Sequence, residues 1–312
     1  MTSEIGISVV IPTKNEGEVL VECLSSIFNQ SKKPSEVIIV DGRSTDDTIE
    51  QAKKFDVKVI IEEEPTSLPN ARNLGAKSAK GPIVFIMDAD ISLDKNCLEN
   101  ALRYFEDQKV IAVVPSEHNV AHTRLEKIQM DWIHGFSNPM RPGVGISVFA
   151  EFIRKSVFDQ LSFDPTLGYG EDEDFQRRLK TIFGSSKIIR ASDCFISVHY
   201  CHTLKELKAQ FGWYGRTFKT YISKKLYLKP ILNLGSLLAP TILIILGVLS
   251  FLFIPVLPFF IVLALLIIAR NLIVCYRSKS WAFFEFLGFE FLRSFFFIRG
   301  LLQGISSKKR GR

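Results

Sequence analysis

The chain has 312 residues, 47% hydrophobic and 23% charged, with a formal net charge of +6. Five cysteines without C-x-x-C spacing exclude the usual zinc and redox arrangements and read as reduced, cytosolic thiols. Basic residues are not interleaved with aromatics, so the positive balance does not call for nucleic acid as a partner.

Short apolar runs at 5–11, 37–40, 57–61, 83–87 and 110–114 read as strands. No long apolar leader precedes the first of them, so no signal peptide is expected. Between the runs, Val19, Leu20, Cys23, Leu24, Ile27 and Phe28 recur at helical spacing, as do Leu98, Leu102 and Phe105. Alternating strand and helix predict an α/β fold whose mostly parallel sheet is flanked by helices on both faces. In such sheets ligands bind beyond the carboxyl ends of the strands, where strand order switches.

Polar residues gather at those ends. Pro12-Thr13-Lys14-Asn15-Glu16 follow the first strand, Asp41-Gly42-Arg43-Ser44-Thr45-Asp46 the second, and Asp88-Ala89-Asp90 the fourth. If the backbone stays extended, Asp88 and Asp90 face one side about 7 Å apart. Two hard oxygen ligands on one face suit magnesium or manganese. A single aspartate after a strand is an ordinary loop or cap residue, whereas three such ends on one rim favour a nucleotide-type site. No G-x-G-x-x-G or G-K-[ST] loop is present. Phosphates would then be held by a metal and by arginine, such as Arg72 in Asn70-Ala71-Arg72-Asn73-Leu74-Gly75.

A helix at 124–136 is expected to line an approach to the site. The run Gly170-Glu171-Asp172-Glu173-Asp174-Phe175 opens another helix, where carboxylates are favoured with or without chemistry. Val198-His199-Tyr200-Cys201-His202 and Gln210-Phe211-Gly212-Trp213-Tyr214-Gly215-Arg216 follow. From residue 231 the chain carries no ionisable side chain before Arg270, too long for one membrane helix of about 20 residues. Pro255 and Pro258 mark a turn, which predicts a transmembrane helical hairpin of about 231–254 and 256–276. Lys224, Lys225 and Lys229 before it and Arg277 and Lys279 after it place both ends in the cytoplasm by the positive-inside rule. The stretch 281–304 is rich in Phe and Leu but carries Glu285, Glu290, Arg293 and Arg299, so it reads as an interfacial helix rather than a span. The tail Lys308-Lys309-Arg310 would be drawn to anionic headgroups. The expected organisation is a cytosolic domain, 1–225, and a multi-pass membrane region, 226–312.

In order and spacing, these motifs over roughly the first 220 residues resemble a family 2 glycosyltransferase of the GT-A fold with a C-terminal membrane anchor. The resemblance implies a nucleotide-sugar donor, UDP- or GDP-linked, with its base near Pro12, Thr13 and Glu16 and contacted by Asp41. Asp88 would face the ribose and diphosphate, Asp90 would hold Mn2+ or Mg2+, and Arg72 would add a second positive contact. Asp172 matches the base of an inverting displacement. Gln210, Trp213 and Arg216 resemble the family's Q-x-x-R-W element, which makes Arg216 a diphosphate contact, while Trp213 could instead pack an acceptor or sit at a bilayer interface. His202 corresponds to a third metal ligand or to a structural histidine, with His199 the weaker candidate. The acceptor would be lipid-linked or membrane-proximal. A polyprenyl or dolichyl phosphate acceptor would need no base, a processive synthase would need more membrane helices, and a non-catalytic scaffold is at odds with intact Asp88, Asp90 and Asp172.

Overall fold

The computed structural model describes residues 6–63, 67–118, 121–136, 150–224, 228–252 and 254–307. The chain forms two compact units, one of Met1–Val120 with Ser147–His199 and one of Ala121–Ile146 with Tyr200–Arg312. The strand start expected at Ile5, the flanking Lys225 and the tail at 308–310 lie outside the described residues.

In chain order the first unit contains β1 (Ile7–Thr13), α1 (Gly17–Phe28), β2 (Glu36–Asp41), α2 (Thr48–Ala52), β3 (Lys58–Ile61), α3 (Leu68–Ser78), β4 (Ile83–Met87), β5 (Ile91–Leu93), α4 (Cys97–Tyr104) and β6 (Ala112–Glu117). After α5 (Arg124–Phe136), which belongs to the second unit, come β7 (Ala150–Arg154), α6 (Glu171–Phe183) and β8 (Ile188–Val198). One sheet runs β3-β2-β1-β4-β7-β6-β8-β5. Strands β3, β2, β1 and β4 are parallel, as expected; β7 then enters antiparallel between β4 and β6, and β5 closes the edge antiparallel to β8. β6 and β8 pair in parallel, so the sheet is mixed, with most of its pairings parallel as expected. Phe85 of β4 stacks on Phe152 of β7 at 3.8 Å, a cross-strand aromatic pair that seats the reversed strand.

Side chains of β1 alternate between two cores. Ile7, Val9 and Ile11 pack with Leu20, Leu24 and Ile27 of α1, while Val10 packs with Ala71 and Ala76 of α3 on the other face. Gly75 lets α3 lie close: a Cβ there would meet Val10 Cγ1 at 2.1 Å. Strand order reverses between β1 and β4, since β1 leads to β2 on one side and β4 lies on the other. A ligand crevice is expected outside their carboxyl ends.

The second unit holds α5, α7 (Leu204–Lys224), α8 (Leu228–Leu252), α9 (Leu257–Ser278) and α10 (Phe283–Ser307). α9 is long and apolar enough to cross a bilayer; the apolar part of α8, Leu234–Ser250, is shorter. A single 3-10 turn at Ile254–Val256 joins the two. The charges of α10 are accommodated by helices of the same unit. Glu290 is fully buried and accepts from Arg270, from Asn271 Nδ2 at 3.1 Å and from Trp132 Nε1 at 3.2 Å. The Arg293 guanidinium lies 4.0 Å over the Trp132 ring, and Glu285 pairs with Arg124. On the same helix Phe284 and Phe295 stay exposed, as an apolar surrounding would favour.

Candidate active site

The loops after β1 and β2 are laced together by side chains. Thr13 Oγ1 donates to Asp41 Oδ1 at 3.0 Å, and Ser44 donates its N–H at 2.8 Å and its hydroxyl at 2.5 Å to the same carboxylate. Asp41 is buried and turned into this network. Asn15 and Arg43 both take φ of 59°, a left-handed conformation that Asn tolerates. Asn15 N–H reaches Ser44 Oγ at 2.8 Å, and Thr45 N–H reaches Asn15 Oδ1 at 2.8 Å. Thr48 Oγ1 accepts from Glu16 N–H at 2.9 Å, which fixes the entry to α1.

At the end of β4 the chain does not stay extended. Ala89 and Asp90 form a turn that redirects it into β5, because β5 must pair with β8; the two-residue extended spacing expected for Asp88 and Asp90 is replaced by that turn. Asp88 Oδ1 takes Arg72 Nη2 at 2.6 Å. Asp90 Oδ1 is shut off from solvent with no hydrogen-bond partner. Burial, then Asp88 and Glu16, push the Asp90 carboxyl up to about 8, and burial with Asp88 and Asp46 raises Glu16 to about 7. Three carboxylates are thus crowded where no basic group offsets them all. That orphaned oxygen and this crowding suit a divalent cation, so the donor set fits the expected Mg2+ or Mn2+.

Arg72 is the hub. Its side chain is 2% exposed, with Nη1 at 2.5 Å from Glu171 Oε1 and the guanidinium 5.6 Å from the Phe163 ring centre. It sits there because Asn73 and Phe163 exchange two hydrogen bonds, Nδ2 to O at 2.9 Å and N–H to Oδ1 at 2.8 Å, tying α3 to the segment before α6. Burial opposes its charge, but Asp88 and Glu171 outweigh that and hold the guanidinium above its ordinary pKa. Arg72 thus clamps two carboxylates, Asp88 and Glu171.

The acidic run divides by position. Gly170, at φ 76°, turns the chain into α6. Glu171 is buried against Arg72, and burial raises its carboxyl well above the usual range against the pull of that arginine. Asp174 is buried and bound by Arg177 at 2.8 Å and Arg178 at 2.7 Å. Asp172 stays half-exposed, its Oδ1 accepting Glu173 N–H at 2.7 Å, and its charge acts on both Arg72 and Glu171. Asp88, Asp90, Glu16, Arg72 and Asp172 therefore form one electrostatic neighbourhood; Asp41 is bonded to Thr13 at the paired ends of β1 and β2.

Two residues escaped the sequence reading. Glu171 lay within a run that explains itself as a helix start, and only the fold brings it to Arg72, 99 positions away. Glu151, on β7 opposite Ile86, is buried with Oε2 unpartnered, and burial raises it to about 8. His202 and Arg216 belong to the second unit. There His202 Nδ1 meets Glu126 Oε1 at 2.7 Å, and Arg216 lines a groove with Lys205, Lys208 and Arg299. His199, in the first unit, pairs with Glu22 at 3.1 Å.

Residues 8–159 match the family model described as glycosyl transferase family 2. Glycosyltransferase GlyG of Streptococcus pneumoniae is 32% identical over 118 residues, 36% of this chain and 39% of that relative's own length. A transferase of Methanococcus voltae, named dolichyl N-acetyl-alpha-D-glucosaminyl phosphate 3-beta-D-2,3-diacetamido-2,3-dideoxy-beta-D-glucuronosyltransferase, is 26% identical across 97% of this chain and 99% of its own. Among solved structures, glucosyl-3-phosphoglycerate synthase of Mycobacterium tuberculosis, in complex with Mn2+, UDP-glucose and phosphoglyceric acid, superposes with a TM-score of 0.51 at 20% identity, covering 71% of this chain and 80% of that one. That likeness shows the GT-A fold.

Proposed function

We propose that the chain is an inverting, metal-dependent glycosyltransferase that moves a sugar from a UDP- or GDP-sugar to a lipid-linked or membrane-proximal acceptor. The observation that carries this is the Asp90 carboxylate, buried with an unpartnered oxygen beside Asp88 and Glu16 at the strand-order switch. The Mn2+ and UDP-glucose held by the mycobacterial structure support a divalent ion and a nucleotide-sugar donor. The name of the Methanococcus relative supports a lipid-linked acceptor.

Asp90 would hold the ion, with Asp88 beside it facing the ribose and diphosphate. When bound, the ion neutralises charge that builds on the departing diphosphate; an opposite unit charge at 4 Å is worth about 4 kcal/mol at an effective dielectric near 20. Pro12, Thr13 and Glu16 on the β1 rim would seat the base, with Asp41 shaping that rim from within. Arg72 holds Asp88 in place. Asp172, the half-exposed carboxylate of α6, would take the proton of an acceptor hydroxyl as it attacks the anomeric carbon. Arg216 is carried as a diphosphate contact on the motif order alone. α9, with α8, would anchor the chain with its catalytic part in the cytoplasm, and α5 would line the acceptor's approach.

Purified full-length protein in detergent, screened against UDP- and GDP-sugars with and without lipid extract, should release nucleoside diphosphate from one donor selectively. No release from any donor, with no manganese-dependent binding of UDP or GDP, would leave only a scaffold. Asp172→Asn sharpens the acceptor: activity lost fits a hydroxyl acceptor, activity kept fits a polyprenyl phosphate that needs no base.

A further inference from the structure

In the second unit α7 and α10 meet backbone to backbone. A Cβ on Gly300 would fall 2.1 Å from the Gly212 carbonyl oxygen, and one on Gly215 would fall 2.0 Å from that of Phe297. Small residues permit this approach, as between helices in membranes. With no side chains at the crossing, the long ones flanking it wall a groove of about 340 Å³, lined by Lys205, Lys208 and Arg216 from α7 and by Arg299 and Gln303 from α10. All four cations are solvent-exposed, and no acidic side chain lines the groove. Glu206, the carboxylate of α7, is turned to the helix start, where it accepts from His202 N–H at 2.9 Å and Thr203 Oγ1 at 2.5 Å. Glu285 and Glu290 of α10 are engaged by Arg124 and Arg270.

Next to Arg299 the surface turns apolar. Phe295, Ile298 and Leu302 line a second cleft of about 480 Å³ that shares Arg299 and Gln303 with the first. Phe295 and Leu302 are each 61% exposed. A cleft of four cations continuous with an exposed apolar strip matches an amphiphile that carries phosphate on a hydrocarbon chain; a soluble anion would leave the strip unused.

We propose that the α7–α10 groove binds the phosphate headgroup of a membrane lipid, whose chain lies along Phe295, Ile298 and Leu302. The binding stands whether or not the chain transfers a sugar. Arg216 lines this groove and is also carried above as a diphosphate contact, so the test leaves Arg216 in place.

Full-length protein in a neutral detergent is titrated with dioctanoyl phosphatidate, dioctanoyl phosphatidylcholine and inorganic phosphate, reading the unfolding midpoint and the apparent Kd. Phosphatidate should raise the midpoint saturably and phosphatidylcholine should not. The triple variant Lys205→Gln, Lys208→Gln, Arg299→Gln should bind phosphatidate on the order of a hundredfold more weakly, as expected for three cations near an anionic headgroup. A charge-matched control in the first unit, Lys53→Gln, Lys77→Gln, Lys109→Gln, should bind like the parent. Phe295→Ser with Leu302→Ser should weaken phosphatidate and leave inorganic phosphate unaffected. The proposal is overturned if phosphatidylcholine matches phosphatidate, if inorganic phosphate reproduces the whole stabilisation, if the triple variant binds as tightly as the parent, or if the control loses as much.

Discussion

The two units differ in how completely their acidic side chains are paired. In the second, Glu126 meets His202, Asp131 meets Lys127, Glu285 meets Arg124 and Glu290 meets Arg270. In the first, Glu16, Asp90 and Glu151 are all pushed above the usual carboxylate range, and Asp90 and Glu151 each keep an oxygen without a partner. Pairing offsets the cost of burying charge and is a structural device. A cluster held at raised pKa at the mouth of a sheet is an arrangement awaiting a cation, and such clusters mark functional sites.

The strongest test of that contrast breaks one buried pair in each unit. Arg72→Gln strands Asp88 and Glu171, and Glu290→Gln strands Arg270. Each should cost about 3–5 kcal/mol, read as a lower unfolding midpoint in detergent. Arg72→Lys should not rescue the first, because an ammonium cannot bridge two carboxylates as the planar fork does. A cost below about 1 kcal/mol, the level of an exposed pair, would show that burial is not what sets these contacts apart.

Asp90→Asn comes next and should separate function from stability. Nucleoside diphosphate release should fall by about a hundred- to a thousandfold, the range typical for losing one preorganised electrostatic contact. The same variant should unfold at a higher temperature than the parent at pH 7.5 in chelator, because an amide removes a carboxylate that resists ionisation there. Loss of both activity and stability would mean that Asp90 holds the fold rather than a metal.

These contrasts were unequally legible in the sequence. The rim of Asp41, Asp88 and Asp90 could be read because apolar runs stop at those residues, and β4 falls where periodicity put it. β8 could not: its eleven residues mix Arg190, Ser192 and Asp193 with apolar ones, since much of that strand is exposed. β7 carries the buried Glu151, which interrupts the apolar signal of a central strand. Missing both, the pattern showed the parallel strands but not where the antiparallel ones enter. The charges of α10 looked out of place in an apolar helix because their partners are remote in sequence: Trp132 lies 158 positions from Glu290 and Arg270 lies 20. The two carboxylates that Arg72 binds were likewise hidden, because Glu171 lies 99 positions away in sequence.

A smaller effect is the pH dependence of the first unit's stability. In the fold, burial and neighbouring carboxylates raise Glu16, Asp90 and Glu151 to about 7, 8 and 8, from ordinary values of 4.5, 3.8 and 4.5. The folded state thus retains protons that the unfolded chain has released, so stability should fall as pH rises from about 4 to about 8. Mn2+ should blunt that fall and stabilise more at pH 8 than at pH 6, because the ion competes with those protons. At 100 times its Kd it adds about 2.7 kcal/mol. A midpoint that rises with pH without metal, or a metal effect that is the same in Asp90→Asn, would contradict the arrangement.

The smallest effect belongs to Glu285→Gln. Arg124 and Glu285 form a two-pronged pair with side chains 60% and 40% exposed, five residues along α10 from the buried Glu290. Exposed pairs of this kind contribute between about 0 and 1 kcal/mol, and salt screens what remains. The midpoint should therefore move little, and the difference from the parent should vanish at high ionic strength. Two glutamates on one helix, each bound to an arginine, then differ in access to solvent and in the further donors, Asn271 and Trp132, that reach Glu290. If Glu285→Gln cost as much as Glu290→Gln, the helix would depend on its charge pairs irrespective of burial, and the contrast between the units would rest on pairing alone.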